Sequence, residues 1–449
     1  MEGTLTSKLR EAVRVAGVVG AGGAGFPTAV KMDSKPEFVL VNGVECEPLI
    51  QVDQQLAALY APALLETLDT VVKTLGAKAG IFVIKEKYAA ACEALKAAIG
   101  KYPALSIKTL SSAYPMGDEQ VLVYEVLGRI VPEGGIPLAV GALVINTETL
   151  LNVRCALEGK PVTEKYITVT GAVKRPATFK VPLGIPYFAL ISAAGGALTE
   201  KPVLIDGGPM MGKLQRDLDA PVIKTSKAII VLPEDHPVVR SQDLPIDRML
   251  KLARAACCHC SLCSEVCPRS LLGHSLFPDK LMRLASYNST CEKENSAATA
   301  YLCCECRLCE YACIMDLQPW RLNRELKQRL KNAGVKNPCH NTPEKANDFR
   351  EYRKYPTDKL VRQLGLAEYY HQPAPLVDYT GPADTVQLPL RQHFGAPAKA
   401  LVAPGDEVKK GNRIAAMDEG ALGADLHTSI DGEVRSVDAD IIVIDRRQP

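Results

Sequence analysis

Hydrophobic side chains in the first third of the chain follow two different spacings. Across residues 54–75, leucine and valine recur three or four residues apart, as on one face of an α-helix. Residues 88–99 predict a second helix, with Gly100 at its C-cap. Residues 80–85 form instead a short, continuous apolar run, which indicates a buried strand. Strands separated by helices predict a layered α/β domain over residues 1–160. The remaining strand signals lie at residues 106–110 and 142–146.

Four further segments with different patterns follow residue 160. Residues 161–243 alternate β-branched and polar positions and predict a small α+β module with a hairpin and one helix. Residues 244–331 carry dense cysteine runs between helical stretches at 246–256, 278–287 and 319–331. Residues 332–385 are rich in Pro, Asn, Tyr and charge, which predicts a linker with one amphipathic helix. Residues 386–449 consist of short strands and glycine turns, typical of a compact β module. The prediction is therefore a multidomain α/β and α+β chain.

Eight of the fifteen cysteines form two copies of one pattern, C-x2-C-x2-C-x3-C, which is the bacterial run that binds [4Fe–4S] clusters. The fourth cysteine of such a run binds the other cluster in two-cluster ferredoxins. We therefore expect three cysteines of each run to share a cluster with the last cysteine of the other. The two expected sets are Cys257, Cys260, Cys263 with Cys313, and Cys303, Cys306, Cys309 with Cys267.

Zinc and disulfides are the alternatives for these cysteines. Zinc prefers two close pairs of ligands separated by a longer loop, which differs from four thiolates in one short run. Disulfides are typical of secreted chains, and the N-terminus shows no signal-peptide core. Two iron–sulfur clusters are therefore the favoured interpretation, and they imply one-electron transfer. Cys258 and Cys304, which directly follow a first ligand, are expected to be spare thiols.

Charge and composition narrow the function classes. A net charge of +2 and a single Trp do not indicate nucleic-acid binding, which typically uses basic surfaces and aromatic side chains that stack on bases. No uninterrupted apolar run approaches the about 20 residues that a membrane span needs. We expect a soluble protein in a reducing cytoplasm, where thiolate ligands survive. Nothing in the sequence fixes the oligomeric state.

A glycine-rich loop lies close to the N-terminus. Residues 20–25 read G-A-G-G-A-G, but residues 9–16 before them look helical and Pro27 interrupts a following helix, so a Rossmann dinucleotide site is not predicted. Residues without Cβ atoms nevertheless let backbone N–H groups approach a phosphate closely, and Lys31 can add positive charge. A tight structural turn is the alternative.

An acidic turn follows the next strand signal. Residues 39–48 run from a strand into V-E-C-E-P, where Asn42, Glu45 and Glu47 could hold ribose or ribityl hydroxyls. A solvated acidic loop is the alternative, and composition alone favours it.

These motifs together resemble a known family. G-G-A-G-F-P-T with Lys31, followed by V-N-G-V-E-C-E-P, resembles the FMN-binding core of the NADH-binding flavoprotein subunit of respiratory complex I. The resemblance to the C subunit of the Rnf complex is closer still. Y-P-M-G-D-E at residues 114–119 and N-T-E-T at 146–149 are similar to the second and third flavin loops of that family. The stretch V-T-G-A-V-K-R-P is similar to its soluble-ligand-binding β-grasp (SLBB) module.

The order of the modules differs from that of the Rnf protein. In the Rnf protein the β barrel-sandwich module lies at the N-terminus, whereas the corresponding motif, P-G-D-E-V-K-K-G with L-H-T-S-I-D-G-E-V, lies here after residue 386. This order resembles the cobalamin reductase family of propanediol-utilization microcompartments. The turn at residues 417–420 has no lysine for a lipoyl or biotinyl arm, so we expect a docking or structural module.

The resemblance implies an NADH-dependent oxidoreductase with FMN and two [4Fe–4S] clusters. It implies cob(III)- or cob(II)alamin as electron acceptor, with cobalamin, a corrinoid adenosyltransferase and microcompartment shell proteins as partners, and a place inside a bacterial microcompartment. An Rnf-like protein that passes electrons to a protein acceptor is the alternative. A scaffold that docks in a shell and only carries clusters is a third.

The resemblance also implies the residues of the flavin site, although hydride transfer needs no side-chain acid or base and no catalytic residue is expected. Those expected to cradle the flavin phosphate are Gly22, Gly23, Gly25 and Lys31. Those expected around the ribityl chain and ring are Asn42, Gly117, Asp118, Glu119, Asn146 and Thr147. The acids expected near flavin and NADH are Glu45 and Glu47.

Overall fold

A four-stranded parallel sheet forms the centre of the first module (residues 1–160, the α/β module), and its strands lie in the order β3-β2-β1-β5. The computed structural model describes residues 2–287 and 297–447. In β1 and β5, Asn42 lies opposite Asn146. The strand order reverses at this pair, and such switch points are where open α/β sheets bind ligands. The elements are α1 Glu2–Val15, α2 Thr28–Lys31, β1 Phe38–Gly43, α3 Val52–Leu59, α4 Ala61–Leu75, β2 Ala79–Lys85, α5 Ala89–Ile99, β3 Leu105–Leu110, β4 Ala113–Tyr114, α6 Glu119–Leu127, a 3₁₀ helix Pro137–Val140, β5 Ala142–Asn146 and α7 Thr147–Leu157.

Helices cover both faces of this sheet. Buried side chains of α3, α4, α5 and α7 fill one face, and those of α6 pack against Leu40 and Val83 on the other. The continuous helix predicted over residues 54–75 is wrong in one respect, because the chain breaks at Tyr60 into α3 and α4. Pro62 lies in the first turn of α4, where its missing N–H is tolerated, and it could not lie inside a longer helix.

A mixed sheet forms the second module (residues 161–243, the β-grasp module). Five of its strands come from this module, and β12 (Leu376–Asp378) adds a sixth, in the order β12-β7-β6-β10-β8-β9. The predicted hairpin is β6–β7, and the predicted short helix is α8, which buries Tyr187 and Leu190 against the sheet. The elements are β6 Glu164–Gly171, β7 Ala177–Pro182, α8 Tyr187–Ala193, β8 Pro202–Asp206, β9 Lys213–Gln215, β10 Ala228–Pro233 and α9 Pro237–Asp243.

Short helices build the third module (residues 244–331, the cysteine module). The helices predicted at 246–256 and 278–287 have the predicted bounds, and the third extends one residue further. The elements are α10 Ile246–Ala256, α11 Leu262–Glu265, α12 Pro268–Leu271, α13 Pro278–Tyr287, a 3₁₀ helix Ala297–Leu302, α14 Leu308–Tyr311 and α15 Pro319–Asn332.

The segment predicted as a linker (residues 332–385, the strap) packs against three other modules. Its strand β11 pairs with β4, and β12 joins the β-grasp sheet beside β7. It also bonds to the cysteine module, where the Gln363 amide donates to the carbonyl of Tyr311 at 3.0 Å. Two α-helices are present where one was predicted, and Leu360, Val361 and Leu364 are buried. Although its composition is polar, the strap contains a short apolar stripe whose buried side chains pack it against the rest of the protein. The elements are a 3₁₀ helix Arg350–Arg353, β11 Tyr355–Pro356, α16 Thr357–Gln363, α17 Ala367–Tyr370 and β12 Leu376–Asp378.

Two small antiparallel sheets form the last module (residues 386–449, the C-terminal β module), in the orders β13-β19-β18-β15 and β14-β16-β17. Asp418, in the turn after β16, pairs with Lys399 at 2.8 Å. Across the described ranges, no helix is both long and apolar enough to traverse a bilayer. The elements are β13 Thr385–Pro389, β14 Lys399–Ala400, β15 Glu407–Val408, β16 Arg413–Ala416, β17 Leu426–His427, β18 Gly432–Val437 and β19 Ile441–Arg446.

Candidate functional site

The loops that follow β1, β4 and β5 meet at the carboxyl edge of the parallel sheet. The Asn42 amide donates to the carbonyl of Gly117 at 2.9 Å, and the Thr147 hydroxyl donates to the carbonyl of Asn42 at 3.3 Å. A Cβ atom on Gly117 would lie 2.4 Å from the carbonyl oxygen of Val44, so only glycine allows this approach. Three of the sequence-predicted residues are thus brought together.

The glycine-rich loop lies over the same edge. The backbone N–H of Ala21 donates to the hydroxyl of Thr149 at 2.8 Å, and Gly22 lies against the side chain of Asn146. Gly23 has a φ of 112°, and a Cβ there would meet no atom within 4 Å. The loop follows helix α1, as the sequence predicted, and its exposed backbone faces open space that an anionic group could fill.

The C-terminal β module reaches this loop from outside. The backbone N–H of Phe394 donates to the carbonyl of Gly25 at 3.0 Å, and the rings of Phe26 and Phe394 lie 6.2 Å apart. A Cβ on Gly25 would lie 3.1 Å from the Cα of His393. The close approach of the two modules therefore requires glycine at this position.

Lys31 and Glu119 lie beside one another at the sheet edge. The Lys31 ammonium donates to the carbonyl of Val144 at 2.8 Å and pairs with Glu119 at 3.3 Å. Its side chain stays partly exposed, so the ammonium keeps donor capacity for an anion.

Glu45 and Glu47 differ in their surroundings. One Glu45 oxygen accepts the N–H of Asp53 at 3.2 Å, and the other is buried without a partner in the described chain. Burial, assisted by the charge of Asp53, raises the pKa of Glu45 to about 8. The Glu47 carboxylate instead accepts the N–H groups of Met210 and Met211 at 2.9 and 3.0 Å, so it holds the β-grasp module. Burial raises the pKa of Glu47 to about 7.

Asp118 connects the α/β module to the cysteine module. Its carboxylate caps α6 and also accepts two hydrogen bonds from the guanidinium of Arg269, at 2.6 and 2.9 Å. Burial opposes the charge, but Arg269 outweighs it and holds the pKa of Asp118 below its usual value. Arg269 lies two residues after Cys267, so this ion pair joins a predicted flavin loop to a predicted cluster ligand.

The first expected cysteine set surrounds a cavity. Cys257, Cys260, Cys263 and Cys313 line it together with Met315 and other side chains of the cysteine module. Cys260 is exposed, so the cavity opens at the surface. Within the described ranges, no three Cys, His, Asp or Glu side chains converge as they would around one metal ion. Cys258, expected to be a spare thiol, also lines this cavity, so five thiols surround it.

The second expected set lies deeper. Cys267, Cys306 and Cys309 are buried, and Cys303 is partly buried. The hydroxyl of Tyr114, in a predicted flavin loop, donates to the carbonyl of Cys306 at 2.8 Å.

Both cysteine runs share one backbone conformation. The residues on either side of the second expected ligand have left-handed φ angles in each run. These angles are 56° and 64° at His259 and Ser261, around Cys260, and 58° and 63° at Glu305 and Arg307, around Cys306. In the second run this turns the N–H of Glu305 toward the sulfur of Cys303 at 3.4 Å. Such N–H donors suit thiolate ligands of a cluster.

Sequence reasoning missed four residues that join these parts. Arg269 follows Cys267–Pro268 directly, so its closeness to a cluster motif was a usable signal. Tyr114 begins a loop that the sequence had already marked as flavin-binding. Asp53 and Lys227, which form an ion pair at 2.7 Å, carry no local signal because the contact joins residues 174 positions apart.

Four protein families match successive parts of the chain. The Nuo51 FMN-binding domain matches residues 13–155 and the SLBB domain residues 166–214. The 4Fe-4S dicluster domain matches residues 256–318, and the RnfC barrel sandwich hybrid domain matches residues 372–446. These matches confirm the four predicted kinds of module, while their predicted bounds stay a prediction. The last match begins at residue 372, inside the segment predicted as a linker. Fold and site thus define an oxidoreductase that uses FMN and two [4Fe–4S] clusters.

Individual relatives narrow the class. Cobalamin reductase PduS of Citrobacter freundii is 41% identical over 98% of this chain and 96% of its own length, and PduS of Salmonella typhimurium is 40% identical over the same shares. The chain therefore belongs to the PduS cobalamin reductase family. The C subunit of the Na(+)-translocating ferredoxin:NAD(+) oxidoreductase complex of Acetobacterium woodii is 34% identical over 58% of this chain and 57% of its own length.

The raised pKa of Glu45 predicts a pH-dependent stability. Between pH 4.5 and about 8 the folded protein keeps a proton on Glu45 that the unfolded chain releases. Stability from this group is therefore lost as the pH rises through that range. Compared with Glu45→Gln, the wild type should lose on the order of 2 kcal/mol of unfolding free energy between pH 5 and pH 8. Urea denaturation at the two pH values measures this, and parallel stability curves for both proteins would contradict it.

Proposed function

We propose that the protein oxidises NADH and reduces cob(III)alamin or cob(II)alamin, so that a B12-dependent enzyme regains its active cofactor. The observation that carries this proposal is the junction of the glycine-lined sheet edge with a buried cysteine set in one chain, through the pairs Asp118–Arg269 and Tyr114–Cys306. The names of the PduS relatives support cobalamin as acceptor.

The residues at the sheet edge fit FMN. The backbone of Gly22, Gly23 and Gly25 would bind the phosphate, with Lys31 supplying positive charge. The side chains and backbone proposed around the ribityl chain and ring are those of Asn42, Gly117, Asp118, Glu119, Asn146 and Thr147. The unpartnered oxygen of Glu45 is the open hydrogen-bonding position near this edge. Glu47 contributes indirectly, because its carboxylate accepts the N–H groups of Met210 and Met211 and so holds the β-grasp module beside the site.

The cysteines fit two clusters with exchanged fourth ligands. Cys257, Cys260 and Cys263 line one cavity with Cys313, whereas Cys267, Cys306 and Cys309 are buried and Cys303 is partly buried. When bound, FMN accepts a hydride from NADH and releases its electrons singly, which suits one-electron clusters. The chain buries the second set next to the flavin loops and leaves the first open to an acceptor.

We further propose a location inside a bacterial microcompartment, with a corrinoid adenosyltransferase and shell proteins as partners. The support is family membership over 98% of the chain. An Rnf-like role, in which electrons pass to a protein acceptor, is the second candidate, and the identity of 34% to the Acetobacterium woodii protein favours it. That likeness covers only 58% of the chain, so it carries less weight.

Anaerobic reduction tests the proposed function. Purified protein with FMN and clusters in place is mixed with NADH, and flavin and cluster absorbance are followed with and without cob(III)alamin. We expect NADH to bleach both cofactors and cob(III)alamin to restore their absorbance as cob(II)alamin forms. Bleaching that ferredoxin reverses and cob(III)alamin does not would favour the Rnf-like role, and no bleaching at all would refute both.

The exchanged ligands predict the effect of removing Cys313. Cys313→Ala should lose about half of the bound iron, because one of two [4Fe–4S] clusters loses a ligand. The cluster that remains should be the one bound by Cys303, Cys306 and Cys309. Iron analysis and electron paramagnetic resonance of the reduced protein measure this. Cys258→Ala is the control and should keep all its iron, and full iron in Cys313→Ala would contradict the assignment.

The open space at Gly23 predicts that a larger residue there excludes FMN. Gly23→Val would fill the proposed phosphate position and strain a backbone with φ of 112°. We expect loss of nearly all bound flavin, measured as the ratio of flavin to protein. Gly196→Val is the matched control, since Gly196 also has a positive φ of 89° and open space around its Cβ, but lies in the β-grasp module. Equal flavin content in both variants would contradict the role of the loop.

A further inference from the structure

In the part of the chain that the structure describes, five ionisable side chains form one buried, mutually bonded cluster where the α/β module meets the β-grasp module. They are at most 8% exposed, and the proposed cofactor contacts explain only one of them, Glu45. Charges in such a position are tolerated only when they are paired and hydrogen-bonded. The remaining members are Asp53 in α3, Glu148 in α7, Lys165 in β6 and Lys227 before β10.

These side chains form a directed chain of contacts. The Lys227 ammonium donates to one oxygen of Asp53 at 2.7 Å, and the other oxygen of Asp53 accepts the amide N–H of Asn146 at 2.7 Å. The amide oxygen of Asn146 accepts the N–H groups of Glu148 and Thr149 at 3.0 and 3.4 Å. Both ends of the Asn146 amide are therefore fixed: Asp53 holds its NH2 group, and the first turn of α7 holds its oxygen.

Asn146 passes this constraint to the glycine-rich loop. A Cβ atom on Gly22 would lie 3.6 Å from the Cβ of Asn146, so the backbone at Gly22 passes the Asn146 side chain with room for little more than a methyl group. One turn further along α7, the hydroxyl of Thr149 accepts the N–H of Ala21 at 2.8 Å. The first turn of α7 is thus the support on which the loop rests.

We propose that Lys227, a residue of the β-grasp module, is a positioning residue of the FMN site. Its ammonium compensates and holds Asp53, Asp53 orients the amide of Asn146, and Asn146 supports Gly22. This inference rests on the proposed function, because it takes Gly22 and Asn146 as FMN-binding residues. The β-grasp module then helps to position residues that bind FMN, in addition to packing against the α/β module.

Lys165 provides a matched comparison. It is as deeply buried as Lys227, and both ammonium groups bind the same oxygen of Glu148. Among the carboxylates that the structure describes, the Lys165 ammonium pairs with Glu148 alone. Burial lowers the pKa of Lys165 to about 8, whereas Asp53 and Glu148 overcome burial and raise the pKa of Lys227. Of the two lysines, Lys227 is the one that connects to Asp53 and the loop.

FMN titration separates the two lysines. The full chain, with clusters in place and flavin removed, is titrated with FMN, and quenching of flavin fluorescence gives Kd. We expect Lys227→Met to raise Kd about tenfold or more, about 1.4 kcal/mol or more, and Lys165→Met to change it less than about threefold. The visible circular dichroism of bound FMN should change only in Lys227→Met. An unchanged Kd in Lys227→Met, or equal losses in both variants, would overturn the proposal.

A second variant keeps the test valid if Lys227→Met does not fold. The double variant Asp53→Asn with Lys227→Met removes both charges and leaves an amide oxygen that can accept from Asn146. We expect it to fold and to bind FMN more tightly than Asp53→Ala with Lys227→Met, which has no such acceptor. Equal binding by the two double variants would overturn the proposal. FMN binding and NADH oxidation by the unaltered protein test the proposed function separately.

Discussion

The parallel register between β1 and β5 is the constraint on which the flavin site depends. It sets Asn42 opposite Asn146 at the point where the strand order reverses. Because both strands run in the same direction, the loops that leave them meet at one edge. A slip of one residue would turn each side chain to the other face of the sheet and separate the two amides. The glycine-rich loop and the turn at Gly117 are joined to this edge by direct hydrogen bonds, from Ala21 to Thr149 and from Asn42 to Gly117.

Buried charges fix the modules relative to that edge. The guanidinium of Arg269 compensates Asp118 at the junction with the cysteine module, and the ammonium of Lys227 compensates Asp53 at the junction with the β-grasp module. A buried charge that loses its partner costs several kcal/mol of stability, so separating the modules at either junction is strongly unfavourable. Electron transfer between a flavin and clusters benefits from this fixed spacing.

Local pattern was informative wherever neighbouring residues decide the structure. Helices α10 and α13 have the predicted bounds because their apolar spacing and flanking residues lie within one short segment. The break at Tyr60 was missed because the apolar stripe continues across it, although Pro62 was a visible sign. The strap was predicted as a linker because its composition is polar. Its pairing with β4 and β7 involves partners about 200 residues away, which periodicity does not reveal.

The sequence by itself determined the chemistry of the protein. Four cysteines at fixed short spacings, and glycines in one loop, act through neighbouring backbone, so their meaning is local. Only the tertiary structure decided how those parts are joined: that Glu47 holds the β-grasp backbone, that Arg269 pairs with Asp118, and that Lys227 pairs with Asp53. These contacts join distant parts of the chain. They exist because packing buries charges that must then find partners, and no short stretch of sequence encodes that requirement.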